Sequence, residues 1–139
     1  MGNRSFFFYS GGTVEEIDCE VADYVFSDIN QGQSSKVAAV SNANFGEVWW
    51  FYPSSSSNEN NRYVVYNYLN NTWAIGQISR TVGVDAGILT HPIIVSAANK
   101  KLYEHEVGFN YDGVEPFAES GPIVIGNGDN VMAVTQMIP

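Results

Sequence analysis

Apolar and polar positions alternate along most of this chain, and the alternation is densest in the run FGEVWWFYPSSSSNENNRYVVYNYLNNTW that ends at Trp73. Two aromatic-rich segments flank a polar link, and a tight Asn-Asn turn then leads into a tryptophan. A period of two predicts strand, loop, strand, turn, strand: an antiparallel meander. Successive strand residues point to opposite faces. Trp49, Phe51, Tyr63 and Val65 therefore share one surface, while Val48, Trp50, Tyr52, Val64, Tyr66 and Tyr68 share the other. Both surfaces are apolar, so both need a covering layer.

The same pattern extends in both directions. SFFFYS opens the chain as a strand, Gly11-Gly12 supplies a turn tolerant of positive φ, and a return strand is predicted over residues 13–17. Residues 19–36 hold the best helical spacing, Val21, Tyr24, Val25 and Asp28, with Asn30 and Gly32 as stops. Valine content and short length make this one or two turns that join sheets. Further strands are predicted at 36–41, 47–53, 62–69, 73–80, 91–96, 101–109, 120–125 and 130–138. The stretch 54–61 is polar and low in complexity, which predicts a mobile projecting loop. Gly76 predicts a bulge or a close backbone approach.

Strands every 8 to 12 residues or so, punctuated by Gly and Asn, define an all-β class built from antiparallel meanders in a propeller-like or stacked-sheet arrangement. At 139 residues the chain is long enough for a single β-rich domain spanning 1–139, and its length equally fits a piece of a larger propeller. No apolar run approaches the ~20 residues of a membrane-spanning helix, and the start lacks the basic-then-apolar order of a signal peptide.

Charge narrows the partners. Fifteen acidic against six basic residues give a formal net charge of -9, and Arg4, Lys36, Arg62, Arg80, Lys100 and Lys101 never gather into a run. Few cations are available to displace the counterions of a phosphate backbone, which argues against nucleic acid. The single cysteine, Cys19, rules out an intrachain disulfide. Flanked by Asp18 and Glu20, it has no cationic neighbour to favour a thiolate and is read as structural.

Candidate chemistry is sparse. Glu104-His105-Glu106 is the most reactive-looking string, but on a strand the two glutamates face one side and the histidine the other. Only His91 offers a second imidazole, and there is neither an HExxH nor a paired-cysteine pattern, so no metal and no cofactor is expected. Asp85 with Glu104 or Glu106 is the carboxylate pair to inspect for glycoside hydrolysis. Tyr111-Asp112-Gly113 and Asn127-Gly128-Asp129 read as turns, and GNGDN lacks the arrangement of a phosphate loop. Trp49, Trp50, Tyr52, Tyr63 and Tyr68 are interface candidates, with sugar stacking as the alternative use of the same rings.

Tyr66, Asn71 and Trp73 stand at the spacing that resembles the tyrosine, asparagine and tryptophan around the turn of a kelch-like propeller blade. Here they are structural anchors, two rings held across a turn pinned by Asn71. The larger set, FFFYSGG, DYVFSDIN, EVWWFYP, YVVYNYLNNTW and LYEHEVGF, resembles a family of tailed-bacteriophage virion proteins with propeller-like sheets, placed among tail hub or accessory components. The resemblance spans 6–139 and departs at Val82-Gly83, where the family has an alanine and an aromatic residue. It implies a non-enzymatic protein, made in the host cytoplasm and built into the virion, that acts by assembly. The implied partners are other virion structural proteins, further copies of itself, or a host glycan. The alternative is a carbohydrate-binding module or a glycoside-processing accessory enzyme.

Overall fold

A computed structural model describes residues 1–2, 4–109 and 115–119. The strands expected at 120–125 and 130–138, and the turns at Tyr111-Asp112-Gly113 and Asn127-Gly128-Asp129, lie outside the described residues.

The protein is built from antiparallel sheets laid down in chain order. β1 (Phe6–Ser10) and β2 (Thr13–Ile17) form a hairpin closed by Gly11-Gly12, whose φ values of 57° and 96° are open to glycine without strain. A short helix α1 (Ala22–Asp28) and a 3-10 helix (Gln31–Lys36) follow, and both fall within the predicted helical stretch. The Asn30 side chain accepts from the Gly32 amide and caps the second of them. β3 (Ala38–Asn42), β4 (Glu47–Tyr52), β5 (Arg62–Asn67) and β6 (Thr72–Gly76) then form the central meander, in that spatial order. β7 (Val82–Val84), β8 (Ile93–Ser96) and β9 (Lys101–Glu104) form the third sheet, in which β7 lies against β3. The all-β antiparallel class is thus the observed one, and no barrel or propeller closure is present among the described residues.

Register explains why the central sheet is covered twice. Trp50 pairs with Val64 and Val64 with Ile75, so these residues share a face with Tyr52 and Trp73. That face packs on Phe6, Val25 and Ile29 from the first hairpin and the helical segment. On the opposite face Trp49 pairs with Val65 and Phe51 with Tyr63. There Phe51 and Val40 pack on Ile94 of the third sheet. The division of residues between two faces is the one the alternation predicted.

Tyr66, Asn71 and Trp73 meet at the turn between β5 and β6. Asn71 adopts a left-handed φ of 56°, its side-chain oxygen accepts from the Tyr66 hydroxyl, and the Tyr66 and Trp73 rings lie 4.6 Å apart. The Trp73 indole N–H also donates to the Asp18 carbonyl at 3.0 Å, tying the central sheet to the chain after β2. Gly76 gives the close approach: it pairs with Tyr63, and a Cβ there would overlap the Tyr63 ring.

Three expectations are corrected. The segment 54–61 does not project. Ser54 and Asn60 are buried, Ser54 bridges to Ile29, the Asn60 amide donates to the Lys36 carbonyl at 2.8 Å, and the Asn30 amide donates to the Ser57 carbonyl at 2.8 Å. The polar residues that suggested solvent are spent on backbone groups of the helical segment. Replacing Asn60 with Ala is therefore expected to cost about 1–2 kcal/mol in urea unfolding, the value of a partly buried hydrogen bond and the carbonyl left behind; no change in midpoint would mean that the loop is not anchored there. Second, β9 ends at Glu104 rather than at Phe109, because Glu106 and Gly108 have φ of 61° and 76° and turn the chain away. Third, Val82-Gly83-Val84 is a strand, too short and too glycine-interrupted to be recognised from alternation.

Candidate functional site

A concavity with both aromatic and charged walls opens where the second face of the central sheet meets the end of β9. It is a cleft of about 630 Å³. Trp49 and Tyr63 form its aromatic wall, stacked with centroids 4.9 Å apart and planes at 29°. The pair exists because β4 and β5 place both residues on one face, and Gly76 on the next strand leaves room for the tyrosine ring. Burial, with the charge of Glu47 second, pushes the Tyr63 hydroxyl above its ordinary range.

The polar wall comes from the third sheet and the segment before it. Arg80, buried, donates from Nε to His105 Nε2 at 2.8 Å and from Nη1 to the Ser79 carbonyl at 2.9 Å, and its guanidinium carbon sits 3.8 Å above the Tyr103 ring. Accepting at Nε2 requires the neutral imidazole with its hydrogen on Nδ1. His105 also presents its edge to Trp49, at 6.4 Å. The histidine thus joins the two walls, and its Nε2 lone pair is engaged.

Of the three acids singled out from the sequence, Glu104 and Glu106 line the cleft and Asp85 does not. Asp85 accepts from the Ser41 hydroxyl at 2.9 Å and from the amides of Ala43 and Ala86 at 3.0 and 2.7 Å. The Ala86 N–H, aided by Ser41 and Ala43, holds its carboxyl below the ordinary range, as suits a clamp between β7 and the end of β3. Glu104 pairs with Ile93 and shares the outward face of the third sheet with Val84. Glu106 instead approaches the Asn42 amide nitrogen at 3.5 Å, and Glu47 approaches the same nitrogen at 3.5 Å. The two carboxylate oxygens are therefore no further apart than twice that distance. Burial, then the charge of Glu47, pushes the Glu106 carboxyl up, and His91 opposes the shift. Glu47 also accepts from the Trp49 indole N–H at 2.9 Å.

The aromatic candidates divide. Trp49 and Tyr63 line the cleft, whereas Trp50 is half-buried in the first core, 5.0 Å from Phe6 and 6.1 Å from Trp73. Tyr52 is fully buried and cannot serve as a surface contact. Its hydroxyl is pushed well above the usual tyrosine range, by burial first and then by Asp28. Tyr68 lies beyond β5, is exposed, and lines a second concavity with Phe8, Asn71 and Trp73. Cys19 is free and half-buried, with burial as the main cause of a raised thiol pKa.

Glu47, Asn42, Arg80 and Tyr103 were not singled out from the sequence. Glu47 opens β4 and Glu106 lies after β9, so no local spacing relates them. No cluster of three His, Cys, Asp or Glu side chains suited to a metal ion occurs among the described residues, and no helix among them is long and apolar enough to cross a membrane.

Fold and site together define an antiparallel all-β protein with an aromatic and polar cleft. Comparison with protein-family models, with curated proteins and with solved structures finds no match to this chain.

Proposed function

We propose that this protein is a non-catalytic assembly or host-contact module of a phage virion, acting through the outer faces of its two flanking sheets. One observation carries the reading. On the third sheet, pairing sets Val82, Val95 and Leu102 in one row, with Val84 and Ile93 in the next, all on the face turned away from Ile94. Val82, Val84 and Leu102 are 53%, 60% and 72% exposed. The first hairpin repeats the pattern, with Phe7, Tyr9 and Val14 exposed on one face. Contiguous exposed apolar faces on sheets are the usual mark of a protein contact surface. The virion setting rests on the sequence resemblance, and a second copy of the chain is the simplest occupant of such a face.

Light scattering coupled to size-exclusion chromatography over a tenfold concentration range tests the reading. The expected result is a fixed multiple of 15.3 kDa for the natural sequence. Val84→Glu with Leu102→Glu is expected to give the single-chain mass with unfolding free energy changed by less than about 0.5 kcal/mol, since both positions are exposed. A single-chain mass at every concentration would sink self-association through these faces.

The cleft favours a second reading, a carbohydrate-binding module. A stacked Trp49–Tyr63 pair and the polar side chains of Arg80, Glu104 and His105 line the same cleft of about 630 Å³. Glu104 and Glu106 both line the cleft while Asp85 does not, so cleavage is tested beside binding. Saturable oligosaccharide binding in calorimetry, with no cleavage product, is the expected result; cleavage would instead support the glycoside-processing alternative, and no heat at millimolar sugar would remove both.

A further inference from the structure

We propose that the open seam between the first hairpin and the central sheet binds an arginine-bearing peptide segment of a partner protein. This seam is distinct from the outer sheet faces and from the cleft lined by Trp49 and Tyr63. Alternation puts Phe6 and Phe8 on one face of β1, with Ile17 and Glu15 paired beside them on β2. On the central sheet Val64 and Tyr66 share a face, paired with Ile75 and Trp73. Phe6 packs on that face and has no exposed surface, yet Phe8, two residues on, is 56% exposed. The two inner faces part beyond Phe6 and leave a groove of about 670 Å³.

Phe8 and Glu15 line one side of this groove, and Tyr66, Trp73 and Tyr68 line the other. The rings are held in place from within the chain. The Tyr66 hydroxyl donates to Asn71 Oδ1, the Trp73 indole N–H donates to the Asp18 carbonyl, and the two rings lie 4.6 Å apart. With their polar edges engaged, ring surface is what they offer a ligand.

Charge decides which ligand. Glu15 occupies an inward position of the hairpin in register with Phe8, and Asp18 and Glu20 also border the groove. None of the three is in an ion pair; those found among the described residues join Lys36 to Glu59 and Arg62 to Asp28. Glu16, at the same border, accepts from the Ser5 hydroxyl. Among the described residues no lysine or arginine lines the groove, and Arg4 lines a neighbouring concavity. An apolar or anionic partner would strand the Glu15 carboxylate beneath it. A cation removes that cost and is attracted to the ring faces as well. Arginine fits the mixture better than lysine, because its flat guanidinium stacks on rings, pairs with a carboxylate through two N–H groups and is more weakly hydrated. The chain itself makes such a stack where Arg80 lies 3.8 Å above the Tyr103 ring.

The full chain, isotope-labelled and held at constant ionic strength, would be titrated with capped Arg-Gly-Arg, Lys-Gly-Lys and Glu-Gly-Glu peptides. The indole N–H signals of Trp49, Trp50 and Trp73 would be followed by NMR, with Trp73→Phe fixing the assignment. Arg-Gly-Arg should shift the Trp73 signal saturably and leave that of Trp49 in place. Lys-Gly-Lys should bind more weakly, and Glu-Gly-Glu should not bind. Tyr68→Ala and Glu15→Gln should each weaken binding about two- to fivefold, the range for one exposed cation–ring or ion-pair contact. Asp23→Asn removes the same charge from an exposed position on α1 outside the groove and should leave binding unchanged. Equal losses in Glu15→Gln and Asp23→Asn, or no loss in either groove variant, would show diffuse attraction to an acidic chain and overturn the site. Equal affinity for the lysine peptide would overturn the choice of guanidinium. Shifts confined to Trp49 would put the peptide in the cleft instead. No shift at millimolar peptide would leave Glu15 as a charge that guards the hairpin against edge pairing, and either result overturns the proposal.

Discussion

Replacing Phe6 with Ala is expected to lower the unfolding free energy by about 3–5 kcal/mol, the range for removing a fully buried phenylalanine. Phe6 has no exposed surface, and its ring stands 4.7 Å from Trp73, 5.0 Å from Trp50 and 5.4 Å from Phe26. It is the residue through which the first hairpin is fastened to the central sheet. Nothing small can fill the space, because the neighbouring rings are fixed by strand pairing and by the Trp73 bond to the Asp18 carbonyl. The loss is a large part of the about 5–15 kcal/mol that holds an ordinary domain together. Denaturant unfolding followed by tryptophan fluorescence measures it, and a loss below about 1 kcal/mol would show that the hairpin is not docked on this face. Trp73→Ala removes the partner of the same contact. Its cost should therefore combine with that of Phe6→Ala to less than the sum, by about 0.5–1.5 kcal/mol, as contacting aromatic pairs do.

Phe51→Ala is expected to cost a similar amount, about 3–5 kcal/mol, through a different set of contacts. Phe51 is also without exposed surface, but it points to the other side of the same sheet, where it packs with Val40 and Ile94. The two phenylalanines test the double covering. Because both alanine changes together would approach the whole stability, the comparison is better made with Phe6→Leu and Phe51→Leu, each costing about 1.5 kcal/mol or less. Their effects should add to within about 0.5 kcal/mol, since the residues share no core cluster. Marked coupling would mean that the central sheet transmits strain from one face to the other.

The two cores also bear on assembly. Each flanking sheet spends one face on the central meander and leaves the other to solvent. On the third sheet the inner row is built around Ile94, 3% exposed, while Val82, Val84 and Leu102 stand outside. A four-stranded meander needs two covers, but a cover made of β-strands has an apolar back of its own when its sequence carries valine and leucine at outward positions. The exposed faces are thus a consequence of stacking sheets in series, and another β-rich surface is the natural way to close them.

Alternation alone determined the class of this protein, because a period of two assigns every side chain to a face without reference to distant residues. From it followed the central meander, the apolar character of both its faces, the first hairpin, and the Tyr66–Asn71–Trp73 turn, whose hydrogen bond and ring contact close within a few residues. The tertiary structure decided what depends on long separations. Polarity at 54–61 suggested solvent, yet Asn60 and Asn30 satisfy backbone groups across the helical segment and hold that stretch down. Strand period sets Asp85 against Glu104 or Glu106, but a positive φ takes Glu106 out of the strand and toward Asn42 and Glu47. Strand period predicts a face, and it carries no information on what the far side of a turn will meet. That encounter is set by how sheets stack, which only the folded chain fixes.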